Sequence, residues 1–313
     1  MSGWMHKIVG VYTRLFAVWV ILFGVLSYFF PQPLQIDKKY NMLFFAVTMF
    51  GIGAVLEPSD FRRIAARPGL VLLGTAAQFT LMPLGSFALA KLLRLPPELA
   101  VGLIIAGCAP GAMSSNVISY IAGADTAYSV SLTTVSTLLC PLVTPALTKW
   151  LAGAILPVSF WAMVSDIVWM VLVPLAAGFA VRYFFGAFVK TIQEIFPALS
   201  VTFIIFICSY VIANNHQRLL QVTGPALAAV CLLNLWGLTS GYQTGRLFGL
   251  PIAQRRTLSI EIGMQNAGLG TALALNQFGP QAAVPTAFFV FVCIISAAVL
   301  VEIWKNRPSV PSP

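Results

Sequence analysis

Apolar residues fill this chain in long runs, separated by short polar punctuation. A helix needs about 20 mostly apolar residues to cross a bilayer. Ten runs come near or exceed that length: 10–30, 40–57, 69–93, 97–122, 125–152, 160–186, 193–213, 222–248, 252–277 and 280–303. The pattern predicts an all-α polytopic membrane protein of ten transmembrane helices. The connections are short, and none has the length or polarity of a separate soluble domain. The first apolar run, about Ile8 to Phe30, is too long for a signal-peptide core, and no A-x-A-like site follows it. It reads as the first span.

Two of the runs are interrupted. Span 4 contains Gly107-Cys108-Ala109-Pro110-Gly111-Ala112-Met113-Ser114-Ser115-Asn116, and span 9 contains Glu261-Ile262-Gly263-Met264-Gln265-Asn266-Ala267-Gly268-Leu269-Gly270. Proline removes a helix hydrogen bond and glycine lets the backbone turn. A break at membrane depth survives only where protein or a water-filled cavity satisfies the freed groups. The two runs also correspond. Ser27-Tyr28-Phe29-Phe30 returns 155 residues later as Arg182-Tyr183-Phe184-Phe185, and Ala90 to Pro96 returns as Gly245 to Pro251. Five spans per half is an odd number, so the second half enters the membrane from the opposite side. The expectation is an inverted repeat, with halves 1–155 and 156–313. Paired broken helices at corresponding positions are the best sequence pointer to a transporter site.

Glu261 supplies the candidate chemistry. A carboxylate within a span is costly and marks an ion or substrate site by default. Ser129 and Thr133 lie four apart on one face of span 5, Ser136 and Thr137 continue that stripe, and Gln78 and Asn234 lie within spans 3 and 8. For any one hydroxyl, helix–helix hydrogen bonding is the simpler account. As a set, hydroxyl, amide, carboxylate and carbonyl oxygens suit a hard cation. The half-helix N-termini beyond each break offer N–H groups to an anion. Gly237, Gly241 and Gly245 read as a packing stripe, and Asp125 and Asp166 as interfacial residues.

Composition agrees with the pattern. The chain has 313 residues, is 59% hydrophobic and only 9% charged, and has a mean hydropathy of +0.90. Its net charge of +9 reads as topology, because basic residues gather in cytoplasmic loops. With the N-terminus inside, only Lys38, Lys39, Lys91, Arg94, Lys149 and Arg218 fall outside; the other twelve basic residues fall inside. Both termini are therefore expected in the cytoplasm. Trp4, Trp150 and Trp304 read as interfacial anchors. Nothing suggests nucleic acid or a protein partner; membrane lipid is the expected surrounding. The cysteines (Cys108, Cys140, Cys208, Cys231, Cys293) lie in apolar stretches without CxxC spacing and read as small buried hydrophobes. His6 and His216 sit near segment ends, which argues against a histidine relay. No nucleophile–base pair, P-loop, dinucleotide fingerprint or HExxH is present, so an enzyme is not expected.

The run Cys108 to Gly111 with Ser115-Asn116, then Ser129 and Thr133, then Glu-Ile-Gly-Met-Gln-Asn at 261–266, resembles the bile acid:sodium symporter family over essentially the whole chain. The resemblance implies a core domain from about 69–152 and 222–303, a panel domain from about 10–57 and 160–213, and spans 4 and 9 crossing at their breaks. It implies two sodium sites. One uses Ser115, Asn116, Ser129, Thr133 and Glu261. The other uses Gln78, Glu261, Gln265 and the main-chain carbonyls of Ile262 and Met264. It puts Asn266, Ala267 and the segment Ala112-Met113-Ser114 against an organic anion. The family usually has Gly-Gly-Thr where this chain has Gly111-Ala112-Met113. Some bile-acid-binding relatives carry His-Asn where it has Cys293-Ile294. The substrate side is thus altered, and the expected cargo is a bile acid-like anion or a smaller carboxylate or sulfonate.

The function expected is sodium-coupled symport of that anion by alternating access. A proton-coupled carrier using Glu261, or a non-transporting receptor on the same fold, are the alternatives. The absence of an Asn-x-Ser/Thr sequon and of a transit peptide points to a bacterial inner membrane.

Overall fold

The computed structural model describes residues 10–12, 15–34, 39–187, 189, 195–217 and 219–305. Trp4 and His6 lie outside them, as do Lys7, Arg14, Lys38, Lys190, Arg218, Arg307 and both chain termini, on which the orientation expectation draws. Among the described residues the chain is helical, with one isolated antiparallel bridge, Gly111 to Gln265. The first four helices are α1 (Phe16–Phe29), α2 (Lys39–Val55), α3 (Pro58–Ala66) and α4 (Pro68–Leu92). A broken pair follows, α5 (Pro97–Cys108) and α6 (Ser114–Ile121), then α7 (Thr126–Ala152). Next come α8 (Phe160–Phe184), interrupted by a π turn at Val168–Leu172, α9 (Ile195–Asn215) and α10 (Leu219–Leu247). A second broken pair, α11 (Ile252–Gly263) and α12 (Ala267–Phe278), precedes α13 (Ala283–Lys305).

The chain is an integral membrane protein. Helices α4, α7, α8, α10 and α13 are each long and apolar enough to span a bilayer, and α2 with α3 makes a sixth if that bent pair counts as one. Their outer faces carry side chains such as Leu72, Leu142 and Val299, which suit lipid. The helix α3 was not expected as an element. It turns 74° away from α2 and presents Arg62 and Arg63 on its exposed surface. Pro58 opens it, and a reciprocal capping box between Glu57 and Asp60 satisfies its first N–H groups.

Packing separates two groups. Helices α1, α2, α8 and α9 pack mainly on one another, and α4, α5, α7, α10, α11 and α13 form the other body. In the first, glycines let α2 and α8 touch backbone to backbone: a Cβ on Gly53 would meet the Leu175 carbonyl, and one on Gly178 that of Phe50. In the second, the Gly237–Gly241–Gly245 stripe lies against α11, where side chains would meet Ile262, Leu258 and Arg255. Cys108, Cys140, Cys208 and Cys293 are buried as expected. Cys231 is not: it lies on an exposed apolar face of α10.

The two turns that precede the broken pairs have the same backbone at the 155-residue offset. Leu95 N bonds the Ala90 carbonyl at 3.1 Å, and Leu250 N bonds that of Gly245 at 2.9 Å. Arg94 has φ +49° and Gly249 φ +68°. Both α5 and α11 then run for 12 residues before breaking.

Candidate functional site

The site lies where the two broken pairs cross. Pro110 lacks an N–H and forces Ala109 extended (φ −67°, ψ 155°), while Met264 is extended at φ −107°, ψ 98°. Each short strand satisfies the other. Ala112 N donates to the Met264 carbonyl at 2.9 Å, and Asn266 N to that of Pro110 at 2.7 Å. The half-helix ends are capped from outside the pairs. Gln78 Nε2 reaches the Ala109 carbonyl at 3.4 Å, Thr144 Oγ1 that of Cys108 at 2.7 Å, and Asn234 Nδ2 that of Gly263 at 2.9 Å. Gly111 leaves room at the crossing: a Cβ there would stand 3.0 Å from Glu261 Oε2, closer than an ordinary contact.

Glu261 is 2% exposed, and among the described residues it forms no ion pair. Its Oε1 accepts short hydrogen bonds from Ser115 and Ser129, and its Oε2 accepts from Thr133 at 2.9 Å. The same hydroxyls face other oxygens. Ser115 lies 2.6 Å from the Ala112 carbonyl, Ser129 2.9 Å from Asn116 Oδ1, and Thr133 3.2 Å from Asn116 Oδ1 and 3.0 Å from the Ser129 carbonyl. Each hydroxyl has one proton to give. Three protons therefore serve two carboxylate oxygens, one amide oxygen and two carbonyls. The cluster has more oxygen lone pairs than hydrogens, the arrangement a hard cation satisfies.

Members of the second expected set are joined by hydrogen bonds. Gln78 Nε2 donates to Gln265 Oε1 at 2.8 Å, and Gln265 Nε2 to the Ile262 carbonyl at 2.9 Å. The Ile262 and Met264 carbonyls thus each accept a protein N–H already. The residues expected to face the anion flank the crossing. Ala112 is buried, Met113 half-buried and Ser114 exposed at the start of α6. Asn266 caps α12 by accepting from Leu269 N at 3.1 Å, with Ala267 buried behind it. Beyond α12, a Cβ on Gly268 would touch Phe203 and Phe45, an edge-to-face pair from α9 and α2.

Crossed broken helices around a buried carboxylate with its hydroxyl and amide oxygens are the features the sequence resemblance carried. The sodium bile acid symporter family is matched over residues 42–222. This chain belongs to that family. It is 39% identical to an uncharacterised sodium-dependent transporter, YocS, of Bacillus subtilis over 94% of this chain and 92% of that protein. It is 34% identical to a probable chloroplast sodium/metabolite cotransporter, BASS1, of Arabidopsis thaliana, covering 97% of this chain and 76% of that one. A probable cotransporter of the same kind from rice, BASS2, is also 34% identical, over 96% and 73%.

In this member of the family, sequence reasoning missed a clamp beside the site. Arg256 is buried, donates to the Ala122 carbonyl at 3.1 Å and lies over the Trp304 ring at 5.3 Å. Thr257 Oγ1 reaches the Asp125 carbonyl at 3.0 Å and Gln254 Nε2 reaches Asp125 Oδ2 at 3.3 Å. These contacts tie the start of α11 to the loop after α6, the helix that carries Ser115 and Asn116. One signal was available: a basic residue near the start of a helix opposes the helix dipole. Asp125, read as interfacial, also caps α7 through Tyr128 N at 3.0 Å.

Proposed function

We propose that this chain is a sodium-coupled symporter of an organic anion that works by alternating access. The observation that carries the reading is the proton deficit around Glu261. Ser115, Asn116, Ser129, Thr133 and Glu261 would hold one Na⁺. A second Na⁺ would share Glu261 with Gln78, Gln265 and the free lone pairs of the Ile262 and Met264 carbonyls. The anion would meet the N-termini of α6 and α12 through Ala112, Met113, Ser114, Asn266 and Ala267. Two sodium ions, Glu261 and a monoanion make a neutral loaded site, which avoids an uncompensated buried charge.

The architecture proposed with it is ten spans in two inverted halves, 1–155 and 156–313, with α5–α6 and α11–α12 each counted as one broken span. The matching turns at Arg94 and Gly249, and the equal lengths of α5 and α11, support the repeat. The packing into two groups supports a panel (about 10–57 and 160–213) moving against a core (about 69–152 and 222–303). Sodium-dependent transport in the names of the relatives supports the coupling ion. Both termini would be cytoplasmic in a bacterial inner membrane. Met113 in place of the usual threonine favours a smaller carboxylate or sulfonate as readily as a bile acid.

The test is transport by the purified protein in liposomes, screened with carboxylates and sulfonates. Uptake is expected only with an inward sodium gradient, and Glu261→Ala should abolish Na⁺-dependent thermal stabilisation. Uptake driven by a pH gradient in sodium-free buffer, binding without counterflow, or normal sodium binding by the Glu261→Ala protein would each overturn the reading.

A further inference from the structure

Away from the crossing, α3 and the end of α8 wall a cavity of about 290 Å³, lined by Glu57, Pro58, Ser59, Phe179, Arg182 and Tyr183. Its neighbours fix its depth in the membrane. Tyr183 and Phe184 end α8, Phe185 follows, and all three rings are exposed. Exposed aromatic residues at the end of a span sit at headgroup level. Helix α3 has no buried residue, and Phe61 on it meets Phe179 edge to face. Ile64, one turn on, also packs inward, whereas Arg62, Arg63 and, just past the helix end, Arg67 are exposed. A helix that turns away from its span, apolar on one face and basic on the other, lies in the interface.

Arg182 is the group in this wall that lacks acceptors. Its side chain is only 11% exposed. Its Nη2 donates to Glu57 Oε1 at 2.9 Å, but its Nη1 is buried and has no partner among the described residues. A guanidinium carries five N–H donors, and a buried one left unmet is costly. Glu57 is engaged elsewhere too, since its Oε2 accepts from Ser59 Oγ at 3.3 Å. Charge points the same way. Arg62, Arg63, Arg67 and Arg182 outnumber the two carboxylates beside them, Glu57 and Asp60, and Asp60 is paired with Arg63 at 3.4 Å. The surroundings are net positive.

We propose, independently of the sodium reading, that this cavity binds the phosphodiester headgroup of an anionic phospholipid, with Arg182 on the phosphate. The planar guanidinium matches phosphate oxygens. The exposed arginines of α3 add attraction for an anionic lipid surface. Interfacial depth selects a lipid over a free phosphate. Val55 and Phe184, close along the chain to the cavity walls, are exposed apolar side chains that acyl chains can cover. An occupant would brace α3, which joins α2 of one packed group to α4 of the other, against α8.

The experiment is thermal unfolding of the intact, delipidated protein in detergent, with phosphatidylglycerol, phosphatidylcholine or inorganic phosphate added at constant ionic strength. Phosphatidylglycerol is expected to raise the midpoint with the logarithm of its concentration, and the other two are not. Arg182→Gln should weaken the apparent affinity for phosphatidylglycerol about tenfold, as loss of a hydrogen bond to a charged group implies. Glu57→Gln removes the carboxylate, leaves the guanidinium, and should keep the affinity or strengthen it. Ser59→Phe fills the cavity and should repeat the loss even if Arg182→Gln fails to fold. Parental affinity in Arg182→Gln or Ser59→Phe would overturn the site. So would equal stabilisation by phosphatidylcholine, or a loss in Glu57→Gln matching that in Arg182→Gln. The full effect from inorganic phosphate would overturn the lipid as the occupant.

Discussion

Ser129 and Thr133 each bridge two acceptors, Glu261 on one side and Asn116 on the other, so one proton is always short. On the symporter reading, a cation relieves that shortage. Glu261→Gln keeps the shape of the side chain and removes its charge. The parent's unfolding midpoint should climb with the logarithm of sodium concentration, as binding to the folded state alone requires; Glu261→Gln should leave it flat. A sloping curve for the variant would mean that the charge is not what holds the ion. Much of this cluster was legible in the sequence, because a carboxylate in an apolar run and hydroxyls four apart are local signals. The bond from Arg256 to the Ala122 carbonyl was not legible, because only packing brings together residues so far apart in the chain. A second residue-scale prediction concerns the turns before the broken helices. Arg94 holds a left-handed backbone (φ +49°) where Gly249 holds the equivalent one. A side chain there costs about 1–2 kcal/mol. Arg94→Gly should therefore stabilise the protein by about 1 kcal/mol, and Gly249→Ala should destabilise it by a similar amount. Thermal unfolding in detergent checks both signs.

At the level of elements, the two breaks could be read because proline and glycine interrupt the helix locally. The helix α3 could not. Its mixed Pro-Ser-Asp-Phe-Arg-Arg composition falls below any span threshold, and its cap pairs Glu57 with Asp60 instead of the usual serine or threonine start. The contact of Asp166 was equally hidden, since its partners are more than a hundred residues away. Its Oδ2 accepts from Gln277 Nε2 at 2.6 Å and, more closely still, from Asn276 Nδ2. Nearby, Asn215 Nδ2 reaches the Pro280 carbonyl at 3.0 Å. These bonds join α8 and α9 to α12 and the turn after it, on the side of the crossing away from α3. Hydrogen bonds to a charged group are each worth about 1.5–3 kcal/mol. Asp166→Ala should lower stability by about that much. If the two bodies move against each other, the same substitution should raise labelling of a cysteine placed at Gln281, in the turn after α12, in a cysteine-free background. Unchanged labelling with lowered stability would make the contact structural and not a latch.

For the whole molecule, charge decides more than contact. Two sodium ions moving with one monoanion carry one net positive charge, worth about 2.3 kcal/mol per 100 mV. That corresponds to roughly 50-fold in the attainable concentration ratio of the anion, since 1.4 kcal/mol is tenfold. A division into two packed groups makes such a cycle mechanically possible. The paired runs at one offset pointed to two halves and not to this division, which came only from the family resemblance, because hydropathy reports that a helix is apolar and not which helix it faces. Liposomes holding a potassium diffusion potential set by valinomycin separate the outcomes. With a fixed sodium gradient and the interior 100 mV negative, accumulation should rise steeply over the zero-potential control. A dianionic cargo, or a single sodium ion per monoanion, would make the step electroneutral and the potential without effect.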